Sequence, residues 1–339
     1  MINQAYRLHS PKQFRVVQVD EKIGSNDVIV KPTYLSICAA DLRYYSGKRS
    51  LEVLKKKLPM SLIHEAVGVV LYDPKGVIKK GTKVVMIPNT PVEEDEVIKE
   101  NYLRSSKFRS SGFDGFMQEV VSIERNRIIP YEGIDDKIAV LSEIMSVAMN
   151  SLEHFQQYSH KRKQTLGIWG CGSVGYCMAL VLKYTYPDAK IVVFDTNSDR
   201  LNYMPFVDEA YLVDSLPSGI KIDHAFECVG GQASEYAINQ MIDIINPQGS
   251  ISLLGVSENN VPINTRMVLE KGLTLLGNSR SSYEDFDNSL KFVKKYPFAK
   301  EHLSRIISEE VIVNEIKDMS NAFEEAITND YKTIMKWEI

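Results

Sequence analysis

Apolar runs of two kinds divide the chain. From about residue 165 to 279, short apolar runs alternate with stretches in which apolar residues recur at helical spacing. The short runs read TLGIW, IVVF, EAYLVD, HAFECVGG, GSISLLGV and GLTLLGNS. Continuous apolar strands alternating with helices are typical of a parallel sheet that is covered on both faces. The pattern predicts an α/β domain with a doubly wound parallel sheet of about six strands.

The flanking segments show a different pattern. Before residue 149 the runs FRVVQV, DVIVKPTYLSI, AVGVVLYD, TKVVMIP and FMQEVVSI are separated by Gly, Pro, Asn and Asp, which is typical of a compact, mostly antiparallel β domain. A polar stretch between Asn89 and Gly112 is predicted to be a surface lobe. Residues 135–158 predict a helix, and the segment after Ser279 predicts helix, strand, helix and strand. We therefore predict one domain at 150–279, inserted into another made of 1–149 and 280–339.

The loop after the first strand of the inserted domain reads GCGSVG, a G-x-G-x-x-G motif. In such a loop the first glycine makes the tight turn, the second lets the backbone approach a pyrophosphate, and the third packs helix on strand. The following helix N-terminus favours the phosphates electrostatically. The next strand ends in an acid about 20 residues further on, at the position that binds ribose hydroxyls. The predicted dinucleotide-binding residues are Gly170, Gly172, Ser173, Val174, Gly175 and Asp195.

Composition narrows the class of protein. The chain is 44% apolar and 25% charged with a net charge of −4, so nothing favours binding to nucleic acid or to an anionic membrane. No apolar run approaches the ~20 residues that span a bilayer, and the first residues lack a signal-peptide core. The four cysteines form no disulfide framework. We therefore expect a protein of the reducing cytoplasm.

Candidate metal ligands lie in or next to the predicted β domain. Cys38 stands in SICAAD, His64 and Glu65 in LIHEAVG, and Glu143 in LSEIM. Thiolate, imidazole and carboxylate suit zinc, and three protein ligands with an open fourth position define a catalytic site. Their spacing alone is equally consistent with a core cysteine and a surface His-Glu pair, because no short ligand motif links them.

Taken together, these motifs resemble the zinc-dependent medium-chain dehydrogenase/reductase superfamily over the whole chain. The matching segments are SICAAD, HEAVG, KKGTKVV, FDGFMQEVV and GCGSVG. The resemblance implies a GroES-like β-barrel catalytic domain and a Rossmann domain. It also implies a catalytic zinc bound by Cys38, His64 and Glu143, with Glu65 as a further ligand or as a carboxylate beside the metal.

The chain is more specifically similar to a family of reductases that convert ribulose 5-phosphate to ribitol 5-phosphate for bacterial teichoic-acid and capsule synthesis. The segments that carry this similarity are LPMSLIHE, KGTKVVMIPNTP, ENYLRSSKFRSSGFDGFMQ, HAFECVGG and LEKGLTLLGNSRS. It implies a sugar-phosphate substrate and a cytidylyltransferase that activates the product, and the superfamily implies a homodimer or homotetramer. The alternatives are another polyol or alcohol dehydrogenase of the superfamily and a non-catalytic dinucleotide-binding protein. A zinc-free quinone reductase type is disfavoured because it would lack the joint set of metal ligands.

Departures from the superfamily pattern refine these expectations. Residues 89–112 contain no cysteine, so we expect one catalytic zinc and no structural zinc. Ala40 and Arg43 stand where a hydroxyl residue and a histidine usually relay protons. We predict that Arg43 binds the substrate phosphate through charge-assisted hydrogen bonds and that Tyr44 faces the substrate. The proton source stays open between a water at the metal, Glu65 and Tyr44.

Asp195 and the family similarity favour different cofactors. Asp195 favours NADH, because a carboxylate at that position accepts bonds from ribose hydroxyls and repels a 2′-phosphate. The similarity to the teichoic-acid reductases favours NADPH, and Asn197, Ser198 and Arg200 could contact a 2′-phosphate. We favour NADPH slightly.

Overall fold

The structure is a computed structural model that describes residues 1–339, and it divides into two compact units. The first unit comprises Met1–Glu143 and Ser281–Ile339, and the second comprises Ile144–Arg280. The second unit is therefore an insertion in the sequence of the first. None of the helices combines the length and apolar character needed to span a membrane.

The first part of the first unit is rich in short strands. Three helices and two 3-10 turns (Glu100–Tyr102 and Arg125–Arg127) interrupt them. The strands are β1 (Ile2–Ser10), β2 (Gln13–Asp20), β3 (Asp27–Ser36), β4 (Met60–Ser61), β5 (Glu65–Tyr72), β6 (Lys83–Met86), β7 (Asn89–Thr90), β8 (Lys107–Phe108), β9 (Val121–Glu124) and β10 (Ile128–Pro130). The helices are α1 (Ala39–Tyr45), α2 (Leu51–Lys57) and α3 (Asp136–Ala139).

Strands and helices alternate in the second unit. Its strands are β11 (Thr165–Trp169), β12 (Lys190–Asp195), β13 (Glu209–Leu212), β14 (His224–Glu227), β15 (Ser250–Leu253) and β16 (Thr274–Gly277). The helices are α4 (Ser142–Tyr158), α5 (Ser173–Thr185), α6 (Ser198–Asn202), α7 (Ser234–Ile244) and α8 (Thr265–Lys271). All six strands are parallel, in the order β13-β12-β11-β14-β15-β16. The prediction of a doubly wound parallel sheet is thus confirmed.

The last segment returns to the first unit with α9 (Tyr283–Lys295), α10 (Pro297–Arg305), β17 (Ile307–Val313), α11 (Ile316–Thr328) and β18 (Lys332–Trp337). Its strands extend the main sheet, whose order is β10-β6-β5-β3-β18-β17, with β9 also paired to β3. All of these pairs are antiparallel except β17 with β18. A smaller antiparallel sheet has the order β2-β1-β4.

Aromatic packing holds α1 and α11 in the core of the first unit. The ring of Tyr45 lies 4.8 Å from that of Phe323 and 5.7 Å from that of Phe14. The Tyr45 hydroxyl donates to Glu324 Oε1 at 2.9 Å. Buried aromatic pairs of this kind add about 0.5–1.5 kcal/mol each beyond the area they bury. Tyr45 therefore has a structural role in fixing α1.

Several boundaries differ from the sequence prediction. The helix predicted over 135–158 is two helices, α3 and α4, because the chain turns at Val140 and Leu141. The FMQ part of FMQEVVSI is not a strand: Phe116 N–H donates to the Ile63 carbonyl at 2.8 Å outside any ladder. Strand β1 and helices α1, α2 and α10 were not predicted, since their apolar residues are mixed with charged ones.

Candidate metal centre and cofactor site

Three strand ends meet at one point of the main sheet. Ser36, the last residue of β3, pairs with Glu65 at the start of β5 on one side and with Ile334 of β18 on the other. Cys38 follows β3 directly and is the N-cap of α1. Lys332 begins β18. The register therefore brings together side chains from three distant parts of the sequence.

Cys38, His64 and Glu65 form the centre of this cluster. The ligand atoms of these three residues all lie within 4.8 Å of one another. Glu65 is fully buried; its Oε1 accepts from Lys332 Nζ at 2.5 Å, whereas its Oε2 has no hydrogen-bond partner. A buried carboxylate oxygen without a partner is costly unless a cation meets it. Glu143, in the first turn of α4, is buried nearby but lies outside this group of three.

Asp41 connects the cluster to the surrounding loops. Its Oδ2 lies 3.5 Å from His64 Nδ1 and accepts from the Cys38 N–H at 3.3 Å. Its Oδ1 accepts from the Ile63 N–H at 3.0 Å and from Ser110 Oγ at 2.6 Å. A carboxylate at Nδ1 fixes the imidazole ring and leaves Nε2 for a ligand. Asp41 was not among the predicted site residues, although an acid three residues after an N-cap is a recognisable capping signal.

Burial and the neighbouring negative charges act in opposite directions on the pKa of His64. Burial lowers the pKa of His64, but the negative charges of Asp41 and Cys38 outweigh it and raise the pKa well above its ordinary value. Burial likewise raises the pKa of Asp41, yet His64 and three hydrogen bonds hold it below its ordinary value. These surroundings favour positive charge at the imidazole position.

The pKa shifts of Glu143 and Lys332 also indicate surroundings that favour positive charge. Burial raises the pKa of Glu143 to about 7, and the neighbouring Glu65 carboxylate adds to the rise. Burial lowers the pKa of Lys332, but Glu65 and Cys38 more than compensate and raise it above its ordinary value. The buried acidic groups thus outnumber the one buried ammonium. A thiolate, an imidazole and carboxylates in an electronegative pocket fit a zinc ion.

The predicted substrate residues lie on α1. Tyr44 is 3% exposed and Arg43 is half-buried in the last turn of the helix. Two cations that were not among the predicted site residues lie against the Tyr44 ring. The Arg49 guanidinium carbon lies 5.0 Å from the ring centroid and Lys57 Nζ lies 5.9 Å from it.

The glycine-rich loop of the second unit has the sterics of a dinucleotide loop. Gly170 has a φ of +89°, and a Cβ there would meet the Cys228 carbonyl at 2.8 Å. A Cβ on Gly175 would lie 1.7 Å from the Gly170 carbonyl oxygen, so helix and strand pack at the distance that glycine allows. Gly172, the N-cap of α5, faces open space, as a ligand-approach position requires. Ser173 and Val174 follow in the first turn of α5.

The carboxylate of Asp195 accepts hydrogen bonds from the protein backbone. It is 6% exposed; Oδ2 accepts from the Cys171 N–H at 2.6 Å and Oδ1 from the Asn197 N–H at 2.8 Å. The side chain thereby fastens the glycine-rich loop to the end of β12. A cavity of about 740 Å³ opens here, and Thr196 and Arg200 line it together with the loop. The sequence predicted where Asp195 lies, whereas its hydrogen bonds are seen only in the structure.

Comparison with known protein families agrees with this architecture. Residues 24–133 match the alcohol dehydrogenase GroES-like domain and residues 173–295 match the zinc-binding dehydrogenase family. Ribulose-5-phosphate reductase of Bacillus spizizenii is 48% identical over 341 residues, covering 100% of both chains. Ribulose-5-phosphate reductase 1 of Staphylococcus aureus is 50% identical over 339 residues, covering 99% of both.

Solved structures show the same likeness. The crystal structure of S. aureus TarJ in complex with NADPH superimposes with a TM-score of 0.90 at 45% identity, covering 100% of both chains. L-idonate 5-dehydrogenase of Escherichia coli shares the fold, with a TM-score of 0.86 at 20% identity over 99% of this chain and 98% of that one. The protein is an oxidoreductase with a zinc and NAD(P)H cofactor requirement. The chain therefore belongs to the zinc-dependent medium-chain dehydrogenase/reductase superfamily, within the group of the ribulose-5-phosphate reductases.

Proposed function

We propose that the enzyme reduces D-ribulose 5-phosphate to D-ribitol 5-phosphate with NADPH. The observation that carries the proposal is the full-length match, at about half identity, to relatives named ribulose-5-phosphate reductase. The buried cluster of Cys38, His64 and Glu65 supplies the ligands that a reductase of this superfamily needs.

The proposed metal ligands are Cys38, His64 and Glu65, with Glu143 as a further carboxylate beside them. Bound zinc supplies a Lewis acid for the substrate carbonyl, and bound NADPH supplies the hydride. We propose one catalytic zinc and no structural zinc, since the lobe at 89–112 contains no thiol. The buried Glu65 Oε2 without a hydrogen-bond partner supports Glu65 as a ligand in its own right.

The remaining residues of the site position these ligands. Asp41 holds the His64 ring through Nδ1, and its bond to Ser110 fixes the loop that follows β8. Lys332 offsets one of the buried negative charges by bonding Glu65 Oε1. Because each of these groups is held by a partner on another element, the ligands are preorganised before metal or substrate binds.

Substrate contacts are proposed for Tyr44 and Arg43. Ala40 has no hydroxyl, and a guanidinium keeps its proton, so the usual relay of the superfamily is missing. The hydroxyl of Tyr45 already bonds Glu324, which leaves Tyr44 as the phenol of α1 for the substrate. We propose that Tyr44 hydrogen-bonds the reacting end of the sugar and that Arg43 contributes positive charge.

NADPH is proposed as the preferred cofactor for a structural reason. Each carboxylate oxygen of Asp195 accepts one backbone N–H bond, so part of the acceptor capacity that would serve ribose hydroxyls is used within the protein. Thr196 and Arg200 line the same cavity as Asp195 and offer a hydroxyl and a guanidinium to a 2′-phosphate. The NADPH complex of TarJ supports the same assignment.

Steady-state kinetics test the proposed function. NADPH and NADH oxidation would be measured with ribulose 5-phosphate, with unphosphorylated ribulose and with a panel of other ketoses. The proposal expects the highest kcat/KM with NADPH and ribulose 5-phosphate, with about one zinc per chain by elemental analysis. Faster turnover of an unphosphorylated ketose would instead assign the enzyme to another polyol dehydrogenase group.

A cytidylyltransferase is the proposed pathway partner, because ribitol 5-phosphate is activated as CDP-ribitol for teichoic-acid or capsule synthesis. Adding such an enzyme with CTP should draw the reduction to completion and release pyrophosphate. We further propose a homodimer or homotetramer, and light scattering of the eluted protein would reveal either. A monomeric mass at micromolar concentration would contradict the oligomer.

A further inference from the structure

We propose that Arg49 and Lys57, both of which lie against the Tyr44 ring, form the subsite that binds the phosphate of the substrate. This inference rests on the proposed function and extends it. Arg43 precedes Tyr44 on α1, but the cations that lie against the Tyr44 ring are Arg49 and Lys57. The ligand class is a phosphate monoester dianion at the end of a short polyol.

The two cations are held at defined positions. The Arg49 guanidinium carbon and Lys57 Nζ lie 5.0 and 5.9 Å from the Tyr44 ring centroid. Tyr44 is almost fully buried, while both cations are half-buried. Lys57 Nζ also donates to Ser111 Oγ at 2.8 Å. An aromatic face attracts each cation, and this attraction offsets part of their mutual repulsion.

A short loop connects this pair to the metal centre. Ser110 donates to Asp41, which holds His64, whereas the next residue, Ser111, accepts from Lys57. Ser110 has a φ of +59°, so the backbone turns sharply between the two contacts. The loop contact of Lys57 is therefore one residue along the chain from the loop contact of Asp41. The substrate needs this arrangement, because its carbonyl and its phosphate are at opposite parts of one small molecule.

Charge makes the pair selective for a phosphorylated sugar. A phosphate monoester carries nearly two negative charges at neutral pH. A guanidinium can meet it with two parallel hydrogen bonds and an ammonium with one, and half-burial reduces screening by salt. An unphosphorylated sugar offers only a neutral hydroxyl at that end and gains none of this energy.

Kinetic variants with matched controls test the subsite in the zinc-loaded enzyme. Lys57→Met and Arg49→Met should each lower kcat/KM for ribulose 5-phosphate by roughly ten- to a hundredfold and leave that for ribulose unchanged. The exposed neighbours provide controls: Lys56→Met and Lys48→Met should leave both substrates unaffected. Equal losses on both substrates, or no loss, would overturn the subsite. Lys57→Arg should recover most of the activity.

A second measurement does not depend on turnover. Acetylation of lysines by limiting reagent would be followed by mass spectrometry in inorganic phosphate and in chloride of equal ionic strength. Phosphate should slow modification of Lys57 severalfold relative to Lys56, and equal rates would contradict the inference. If the wild type fails to reduce ribulose 5-phosphate, the proposed function fails, whereas protection of Lys57 still decides whether an anion binds here.

Discussion

Replacing Lys332 by methionine would remove the ammonium group that meets Glu65 and keep most of the side-chain volume. Lys332 is 4% exposed and donates to Glu65 Oε1 and, at 3.4 Å, to the Ile37 carbonyl. Breaking a buried ion pair by removing one partner typically costs about 3–5 kcal/mol, because the other charge is left uncompensated. We expect a loss of that size in the free energy of unfolding of the zinc-free protein.

Zinc should reduce this loss. The metal brings positive charge to the same carboxylate, so Glu65 is no longer uncompensated when zinc is bound. The difference between the zinc-free and zinc-loaded losses must appear as tighter zinc binding by the variant. A difference of about 1.4 kcal/mol corresponds to a tenfold lower Kd for zinc. The variant is thus less stable without the metal and more strongly stabilised by it.

Urea unfolding with chelator and with saturating zinc would measure both effects. Lys336→Met is the matched control, since Lys336 lies on the same strand and pairs with Glu338 at the surface. A surface pair of this kind contributes about 0–1 kcal/mol, and zinc should not change it. The reasoning is refuted if Lys332→Met costs no more than Lys336→Met, or if its cost is the same with and without zinc.

Three further variants test other parts of the structure. Cys38→Ser should lose bound zinc and turnover but retain NADPH binding by cofactor fluorescence; near-normal turnover without zinc would contradict the metal assignment. Arg200→Ala should raise the KM for NADPH by about tenfold and leave that for NADH nearly unchanged, since only the former carries a 2′-phosphate. His224→Gln addresses acid stability: burial, aided by the nearby His160, lowers the pKa of His224 to about 4. The contribution of neutral His224 to the free energy of unfolding is complete above pH 6.5. Up to about 3 kcal/mol of it is lost as the pH falls toward 4. Urea titrations of the variant should not show this pH dependence.

Local patterns predicted much of the second unit. The strand that ends at Trp169, the glycine-rich loop and the strand that ends at Asp195 are contiguous in sequence, so their pattern specifies their geometry. The hydrogen bonds of Asp195 were not predictable, because a carboxylate at that position can point to a ligand or to the loop. Only the structure shows that both oxygens accept bonds from backbone N–H groups.

The sequence predicted less of the metal centre than of the second unit. Cys38 and His64 were proposed through a resemblance, since their spacing is not a ligand motif. Lys332 was missed because it is 267 residues from Glu65, and a lysine at the start of an apolar strand resembles an ordinary strand end. Arg49 and Lys57 were not recognised as a pair, because their relation depends on how α1 and α2 meet around Tyr44.

The placement of β18 has a consequence for synthesis on the ribosome. Residues Lys332–Trp337 emerge after the whole of Ile144–Arg280, yet they pair with β3, next to the cysteine of the metal centre. During translation the part of β3 from Tyr34 to Ser36 therefore presents an open edge, although β9 already pairs with its first residues, and Glu65 lacks its ammonium partner. An exposed strand edge invites pairing with other chains. A nascent or prematurely terminated chain that lacks β18 should consequently require chaperone protection and be cleared by proteases rather than persist as a partly active enzyme.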